Sequence, residues 1–415
     1  MSGKEAEPTL RGTVTRRRTL ALGMAGLAAS GLAACSGGDG KINSKGDGDK
    51  EPEEEPMYVL GLAPADGSSE ATAAAEITWD PAKGEPKEVK LAKDGGEEVA
   101  GEFHPDGTSW IPSQPLEWEA TYTATVTAEA EGEEVTGATT FTVIASPESR
   151  AEVQVYSPDN TTVGQAAVVY FEFVGYGVPE EARKAVERRL FVTSEPAQEA
   201  SWHWINASKL EYRPKEYWKP GTAVSWRLAL GGVDFGDGTY GQYDLSGSFT
   251  TDTELRKMVV DDSNKRFDCQ RDGASVNQFP TSLGAKELPD KDGKKMDTRS
   301  YTGNMIIMSR EKDIEFSSAE FDYEDIEIDF GMRLTWNGQY IHSAPWAKDK
   351  LGKTNGSHGC INLDTADAEW VYEYCKWGDP IEVKNTGRSL PQGDGVTSWD
   401  LSWEDVLAGS YLTES

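Results

Sequence analysis

Short runs of alternating apolar and polar residues fill the chain between residues 57 and 148, for example "AEITWD", "KEVKLA", "TYTATVTAEA" and "ATTFTVIA". Gly, Pro and Asp residues separate these runs at intervals of about ten residues, as in strands joined by short turns. Alternation with a period of two places every second side chain on the same face of a sheet. The pattern therefore predicts an all-β sandwich over residues 57–148.

A second β-rich stretch covers residues 149–251, with strand-like runs such as "AAVVYFEFV", "ASWHWINASKLEYRP" and "AVSWRLALG". The run "PEEARKAVERRL" interrupts it, and the helical spacing of Ala182, Ala185, Val186 and Leu190 predicts one short amphipathic helix. Two consecutive sandwiches of similar length suggest a spacer. Four tryptophans of this stretch are expected to pack in its core: Trp202, Trp204, Trp218 and Trp226.

Residues 252–385 combine strand-like runs with one clear helix, which follows the sequence "SHGCINL". Asp364 is the predicted N-cap of this helix. The stripe predicted to be buried comprises Ala368, Val371, Tyr372 and Cys375. The chain as a whole is thus predicted to be mostly β, with two tandem sandwiches followed by a β-rich α/β domain.

The N-terminal residues 1–34 have the features of an export signal, because three arginines precede the apolar run "TLALGMAGLAASGLAAC". The end of this run, "LAAC", resembles a bacterial lipobox. The resemblance implies cleavage before Cys35 and lipidation of its thiol. We therefore expect an exported protein anchored by lipid to the outer face of the cytoplasmic membrane, facing the cell wall. Ordinary secretion and twin-arginine export both remain open.

The segment that follows, residues 35–56, is rich in Gly, Ser and acidic residues and predicts a flexible tether. The whole chain has 41 Lys and Arg against 71 Asp and Glu, a formal net charge of -30. Such a charge would repel a polyanion, and no basic stripe follows the first 18 residues. Nucleic acid is therefore excluded as an expected partner.

The candidate chemistry lies in "SHGCIN", residues 357–362. A thiol becomes a nucleophile when a neighbour lowers its pKa or accepts its proton, so Cys360 needs a base. The backbone of His358 is too close to Cys360 for its imidazole to reach the sulfur easily. We therefore predict that His342, which ends the strand-like run "GQYIH", is the base and that His358 is a structural or electrostatic neighbour. The amides of Gly359 and Cys360 are predicted to form an oxyanion hole.

Two other interpretations of these residues stay open. His342, His358 and Cys360 would supply three zinc ligands, although no CxxC or HExxH motif accompanies them. The same side chains could also simply pack in a core, although a run so rich in polar groups packs poorly. Under the catalytic interpretation neither a metal nor another cofactor is expected.

The stretch "YIHSAPWAKDKLGKTNGSHGCINL" resembles the signature of the L,D-transpeptidases, which have a YkuD-type catalytic domain, and in particular their multidomain actinobacterial lipoproteins. The run "WKPGTAVSWRLALGGVDFGDGTYG" resembles the immunoglobulin-like domain that precedes that catalytic domain. The tail "SWDLSWEDVLAGS" resembles a Trp-containing extension that packs back on it. The resemblance covers about residues 150 to 412 and implies two immunoglobulin-like domains, a catalytic domain at 252–385 and an extension at 386–415.

The resemblance implies an enzyme that makes 3→3 cross-links in peptidoglycan. Cys360 would attack the carbonyl between the third residue and the terminal D-Ala of a tetrapeptide stem, and D-Ala would leave. The side-chain amine of a second stem would then resolve the thioester, with His342 as the base. Carbapenem β-lactams are expected to acylate the same cysteine.

The resemblance also implies roles around the thioester. Tyr323, on a flap before the base strand, would help the oxyanion hole, and Ser357 would shape the same site. Ser343 and Asn362 are expected to orient His342 and brace the cysteine loop through hydrogen bonds, and Met308 is expected to line the pocket. Whether Cys269 and Cys375 form a disulfide is left open.

Two alternative functions remain at this stage. A cysteine carboxypeptidase would release the stem to water instead of an amine, and the motif does not decide between these acceptors. A wall-binding lipoprotein with an inactive catalytic domain would keep the fold without the chemistry.

Overall fold

The computed structural model describes residues 60–412. Cys35, the predicted export signal and the predicted tether lie outside these residues. With 43% of residues in strands and 9% in helices, the protein is mostly β, as the sequence predicts. Between residues 60 and 412, no helix is long and apolar enough to cross a membrane.

The first sandwich is built on two sheets whose buried faces meet in one apolar core. Its strands are β1 (Ser68–Ala71), β2 (Ile77–Thr78), β3 (Glu85–Lys93), β4 (Glu98–Val99), β5 (Gly101–Phe103), β6 (Ser109–Pro112), β7 (Thr121–Ala130) and β8 (Glu133–Val143). One sheet has the order β1-β8-β7-β3-β4 and the other β2-β6-β5. Every second residue of β7 is buried, from Tyr122 to Ala130, which is the predicted alternation.

The second sandwich has two four-stranded sheets, a two-stranded one and helix α1 (Glu180–Glu187). Its strands are β9 (Arg150–Ala151), β10 (Val153–Val155), β11 (Thr161–Val163), β12 (Val169–Phe173), β13 (Leu190–Glu195), β14 (Ala200–Trp204), β15 (Lys209–Pro214), β16 (Ala223–Leu228), β17 (Tyr240–Gly241) and β18 (Leu245–Thr251). The sheet orders are β10-β12-β15-β14, β11-β18-β16-β13 and β17-β9.

The predicted helix and the core tryptophans of the second sandwich are confirmed. Trp202, Trp204, Trp218 and Trp226 are each at most 6% exposed. Within α1, Ala182 and Val186 are buried, but the expected burial of Ala185 is wrong, since this residue is exposed. Glu187 is buried in α1 instead, and its carboxylate accepts a hydrogen bond from Trp204 Nε1 at 3.0 Å. The hydrogen bond with Trp204 therefore accompanies a buried face of α1 that includes Glu187 instead of Ala185.

The third domain packs a five-stranded sheet, a four-stranded sheet and helix α2 (Thr365–Tyr374) around one core. Its strands are β19 (Arg256–Asp261), β20 (Arg266–Arg271), β21 (Ala274–Pro280), β22 (Leu288–Pro289), β23 (Lys295–Met296), β24 (Gly303–Ile306), β25 (Ser309–Glu311), β26 (Ile314–Ser318), β27 (Tyr323–Ile328), β28 (Gly331–Arg333), β29 (Tyr340–Ser343), β30 (Ile361–Leu363) and β31 (Pro380–Lys384). The sheet orders are β21-β20-β19-β31-β24 and β25-β28-β29-β30, and β26 and β27 form a separate hairpin. A further helix, α3 (Trp403–Ala408), follows in the C-terminal extension.

Helix α2 begins where the sequence predicts. The Asp364 carboxylate caps it by accepting from the Thr365 N–H at 2.9 Å. Ala368, Val371 and Cys375 are fully buried, as expected. Tyr372, which was also expected to be buried, is only partly buried, whereas Tyr374 is buried in the core.

The C-terminal extension packs on the third domain, as expected, with Leu390 in the core of that domain, and it also packs on the second sandwich. The buried Glu211 of β15 accepts hydrogen bonds from the N–H groups of Thr397 and Ser398, at 3.1 and 3.0 Å. Helix α3 lies against β14. On the third domain, the Asn304 N–H donates to Asp400 at 2.9 Å and the Asn337 N–H donates to Asp394 at 2.8 Å. Buried acceptors on β15 satisfy backbone donors of the extension, and this fixes its path.

A small apolar cluster, here called the junction cluster, joins the second sandwich, the third domain and the extension. Its buried members are Ala166, Val168, Tyr170, Ile306, Met308 and Val396. Partly buried aromatic residues of all three parts pack against it, among them Trp336, which comes just before β29. The second sandwich, the third domain and the C-terminal extension therefore share this apolar cluster.

Candidate active site

Of two paired parallel strands, one carries the predicted base and the other directly follows the thiol in the chain. Strands β29 and β30 pair with Ile341 opposite Ile361 and His342 opposite Asn362. Both isoleucines are fully buried, so the register of the pair is fixed by the core. Cys360 directly precedes β30 and therefore lies beside the start of β29.

His342 is held in an orientation that suits a base. The residue is 3% exposed, and Nδ1 lies 2.7 Å from the backbone oxygen of Ser343. A carbonyl oxygen only accepts, so Nδ1 carries the proton and Nε2 of the neutral ring keeps its lone pair. Phe316 and Trp346 flank the ring, at centroid distances of 5.9 and 6.1 Å. Burial lowers the pKa of His342 to about 4, so the ring is neutral at neutral pH.

Cys360 is also neutral at rest. Burial raises the pKa of its thiol to about 11, although a backbone hydrogen bond from Tyr340 opposes the rise. The thiol donates to the backbone oxygen of Gly338, with Sγ and the oxygen 3.6 Å apart. The resting site therefore holds a thiol and a neutral imidazole rather than a thiolate and imidazolium pair.

His358 lies under the hairpin formed by β26 and β27. Its ring centroid is 4.3 Å from that of Phe321 and 5.6 Å from that of Tyr323. The residue is exposed, yet the cover given by these rings is enough to lower its pKa. The structure therefore places His358 as a neighbour of the hairpin.

Tyr323 lies at the start of β27, with its ring centroid 5.6 Å from that of His358. Burial raises the pKa of its hydroxyl, and so, to a smaller extent, does the negative charge that Cys360 would carry. A hydrogen bond with the side chain of Ser318, in the same hairpin, lowers this pKa.

The loop before Cys360 is held by internal hydrogen bonds, and this corrects one prediction. The Gly359 N–H donates to Ser357 Oγ at 3.2 Å, so in this structure it is not directed at a substrate oxygen. Ser357 Oγ in turn donates to the Cys360 carbonyl at 2.6 Å, and Ser300 Oγ donates to the Gly359 carbonyl at 2.7 Å. Gly359 has φ 139°, which few residues other than glycine adopt. Ser357 and Gly359 therefore shape the loop. The Gly359 N–H is hydrogen-bonded to the Ser357 hydroxyl instead of pointing at the substrate site.

Ser343 and Asn362 lie on either side of His342. Ser343 orients the imidazole through its backbone oxygen, whereas its hydroxyl is 2.8 Å from Thr365 Oγ1. Asn362 is 3% exposed, and its backbone carbonyl accepts from Thr281 Oγ1 at 2.9 Å, which ties the cysteine strand to the loop after β21.

Met308 belongs to the junction cluster, and its expected place in the lining of the pocket stays a prediction. Its side chain packs with Tyr170 and Val396 in the junction cluster. Met308 follows β24 and Ile307, and the alternation of the chain turns it toward the second sandwich.

Several residues that contact the reacting groups were not predicted from the sequence. Gly338 and Tyr340 contact the sulfur through their backbone atoms, and Phe316, Phe321 and Trp346 cover the two histidines. The position of Tyr340 was open to prediction, because it lies two residues before His342 on the same strand and therefore on the same face.

Two further cysteines are structural. Cys269 and Cys375 are fully buried in the core of the third domain and both carry free thiols. Burial raises the pKa of each, which keeps both thiols protonated. Among residues 60–412, no group of three or more His, Cys, Asp and Glu side chains could hold a metal ion.

Comparison with known proteins identifies the two kinds of domain. A family model described as "L,D-transpeptidase catalytic domain" matches residues 256–383, and one described as "Bacterial Ig domain" matches residues 68–234, a range that spans parts of both sandwiches. The third domain is therefore similar to a YkuD catalytic domain, and the sandwiches are similar to a bacterial Ig domain.

Relatives of known name extend over almost the whole chain. L,D-transpeptidase 2 of Mycobacterium tuberculosis (strain CDC 1551 / Oshkosh) is 31% identical, over 92% of this chain and 92% of its own. L,D-transpeptidase 5 of Mycobacterium tuberculosis (strain ATCC 25618 / H37Rv) is 32% identical, over 98% and 87%. The chain belongs to the L,D-transpeptidase family.

Solved structures with bound β-lactams are among its matches. An L,D-transpeptidase in complex with imipenem is 28% identical, with a TM-score of 0.45, and the match covers 57% of this chain and 100% of that one. L,D-transpeptidase 3 from Mycobacterium tuberculosis, in complex with a faropenem-derived adduct, is 26% identical, with a TM-score of 0.43 and coverage of 56% and 97%.

Proposed function

We propose that this L,D-transpeptidase forms 3→3 cross-links between peptidoglycan stem peptides through a thioester on Cys360. The observation that carries the proposal is the register of β29 and β30, which brings Cys360 beside the strand of His342, whose Nε2 is free of a proton. The family relationship supports the choice of substrate class.

In the first half-reaction, Cys360 Sγ attacks the carbonyl carbon between the third residue of the donor stem and its terminal D-Ala. His342 Nε2 takes the thiol proton and passes it to the nitrogen of D-Ala as the C–N bond breaks. D-Ala leaves, and the tripeptide remains as a thioester. Because both groups are neutral at rest, the proton moves during the attack rather than before it.

In the second half-reaction, the side-chain amine of the third residue of another stem attacks the thioester carbon. His342 accepts the amine proton and returns it to the sulfur as the C–S bond breaks. The product is an amide between the two stems, and the enzyme regains its thiol. In each step the Tyr323 hydroxyl and the Cys360 N–H would donate to the oxygen that becomes negative.

The experiment that tests this proposal offers tetrapeptide stem fragments to the purified chain and follows the products by mass spectrometry. We expect a cross-linked dimer and free D-Ala. Tripeptide without dimer would establish the hydrolase, in which water replaces the amine. A matched Cys360→Ala protein should give neither product, and full cross-linking by this variant would overturn the assignment.

Carbapenems are proposed to acylate Cys360 as substrate mimics. Their strained β-lactam carbonyl would occupy the position of the donor carbonyl, and ring opening would leave an adduct on sulfur. Related enzymes whose structures contain imipenem or a faropenem-derived adduct support this proposal. If the wild-type chain formed no adduct and made no dimer, the wall-binding alternative would be favoured.

The lipid anchor at Cys35 is a separate proposal, supported by the "LAAC" sequence and the tether that follows it. Expression of the full chain with labelled fatty acid should place label on the wild type and not on a Cys35→Ala variant. The variant should lose its membrane association and keep cross-linking activity once solubilised. Absence of label from the wild type would refute the anchor.

A further inference from the structure

The turn at residues 334–339, between β28 and β29, controls the surroundings of the Cys360 sulfur. Gly338 in this turn presents the backbone oxygen that the thiol contacts, 3.6 Å from Sγ. Tyr340, directly after the turn, supplies the backbone hydrogen bond that opposes the rise in the thiol pKa. A small displacement of the turn would therefore change both contacts of the sulfur at once.

The second sandwich holds this turn at Trp336. The indole Nε1–H donates to the hydroxyl of Tyr170 at 3.1 Å, and the ring packs against Tyr156 at a centroid distance of 4.9 Å. Tyr170 lies on β12 and is 1% exposed, so its hydroxyl occupies a fixed position in the junction cluster. Trp336 is only two residues from Gly338. The side chain of Trp336 thus links the second sandwich to the turn that contacts the sulfur.

The C-terminal extension holds the same turn at the next residue. Asp394 Oδ1 accepts from the Asn337 N–H at 2.8 Å, and Asp394 is 6% exposed. Beside it, Gly395 lies so close to Leu334 that a β-carbon there would be 2.8 Å from the Leu334 carbonyl oxygen. Its φ of 108° also disfavours any other residue. The extension therefore fits the turn through both a hydrogen bond and a close backbone contact.

We propose that Tyr170 and Asp394 are positioning residues for Cys360, which makes the second sandwich and the extension parts of the catalytic unit rather than only a spacer and a tail. The proposal rests on the proposed role of Cys360 as nucleophile. Tyr170 acts through Trp336 and Asp394 acts through Asn337, and neither touches the substrate. Both fix the turn that presents Gly338 and Tyr340 to the sulfur.

The test measures the reactivity of Cys360 directly, as the rate of alkylation by iodoacetamide over a range of pH in the full chain. Peptide mapping separates Cys360 from the buried Cys269 and Cys375. We expect Tyr170→Phe to slow alkylation near neutral pH about five-fold, the effect of about one hydrogen bond. The rise of the rate with pH should move to higher pH, because a loosened turn weakens the hydrogen bond from Tyr340.

A matched control removes a tyrosine hydroxyl elsewhere in the same sandwich. Tyr176 donates to Asp237 at 3.0 Å near the surface, and neither residue touches the turn. Tyr176→Phe should leave the rate and pH profile of Cys360 alkylation unchanged. Identical profiles for Tyr170→Phe, Tyr176→Phe and the wild type would overturn the proposal.

Asp394 supplies a second, independent variant. Asp394→Asn keeps an oxygen that can accept from the Asn337 N–H, whereas Asp394→Ala does not. We expect the Asn variant to retain the wild-type pH profile of alkylation and the Ala variant to show a profile moved to higher pH. Each variant is measured at a temperature well below its own midpoint of thermal unfolding. An Ala variant with a wild-type profile would contradict the role of the extension, whether or not its midpoint fell.

A failure of this proposal is distinguishable from a failure of the proposed function. If Cys360 is not the nucleophile, the wild type itself forms no carbapenem adduct on that residue. If the adduct forms but the variants behave as the control does, only the positioning role is wrong.

Discussion

The two halves of the candidate active site are built differently. The β29 and β30 pair lies in the core, with Ile341 and Ile361 fully buried and His342 3% exposed. The hairpin above it is exposed and acidic, and Glu315 pairs directly with Glu327 across its two strands. Like charges directly opposite each other destabilise a hairpin. The strand pair is therefore fixed by packing in the core, whereas Ile328 is the one buried residue of the two hairpin strands.

What holds the hairpin over the site is a small set of aromatic contacts. Phe316 packs on Tyr340 at a centroid distance of 4.8 Å, and Phe321 packs on His358 at 4.3 Å. The difference separates two proposed roles, because the proposed base lies on the buried strand pair, whereas the proposed oxyanion donor Tyr323 lies on the hairpin. Substitutions in the strand pair should abolish the chemistry, and those in the hairpin should weaken it.

The largest effect is expected at the base. His342→Gln removes the group that takes the thiol proton, and we expect acylation by a carbapenem to slow on the order of a thousandfold. The measurement is the single-turnover rate of adduct formation at neutral pH. A rate within tenfold of the wild type would remove His342 from the mechanism, provided that the unfolding midpoint is unchanged.

The pH dependence of the thiol follows from the same geometry. Because the pKa of Cys360 is about 11 and that of His342 about 4, both groups stay neutral between these values. Alkylation of the free enzyme by iodoacetamide should therefore rise about tenfold for each pH unit between pH ~7 and ~10, as the small thiolate fraction grows. A plateau below about pH 8 would instead reveal a preformed thiolate and imidazolium pair.

A smaller effect is expected from the hairpin. Tyr323→Phe removes only the proposed oxyanion donor and keeps the ring, so acylation should slow on the order of tenfold, the effect of one hydrogen bond to a charged group. Tyr372→Phe, on helix α2 in the same domain, is the control and should behave as the wild type. No change in the rate for Tyr323→Phe would show that the developing charge is stabilised elsewhere.

The smallest effect is expected at His358, which contacts the hairpin aromatics. His358→Gln should change the acylation rate by no more than about threefold, since the variant loses only a ring contact. Phe321→Ala removes the same contact from the other side and should have a similar effect. If His358→Gln were as damaging as His342→Gln, the assignment of the base would have to be reversed.

The sequence predicted the strand pair well because its signals are local. The strand-like run "GQYIH", the glycine before Cys360 and the Asp364 cap each act within a few residues of the chain. The core then reproduces what the pattern requires. The pairing of Ile341 with Ile361 joins positions twenty residues apart, and both side chains are fully buried in short strands.

The contacts that sequence reasoning missed are between distant segments. Met308 faces Tyr170 and Val396, and Glu211 binds the backbone of Thr397, and no local pattern encodes such pairs. The Gly359 amide was misassigned because a serine hydroxyl two residues away accepts its hydrogen bond. Side-chain competition of this kind depends on the exact path of the loop.

The most direct test of the central claim is the intact mass of the purified chain after incubation with a carbapenem. The account predicts that the wild type gains the mass of one carbapenem, located by peptide mapping on Cys360, and that Cys360→Ala gains none. A wild-type chain that stays unmodified, or a Cys360→Ala chain that is modified equally well, would contradict the assignment of Cys360 as the nucleophile.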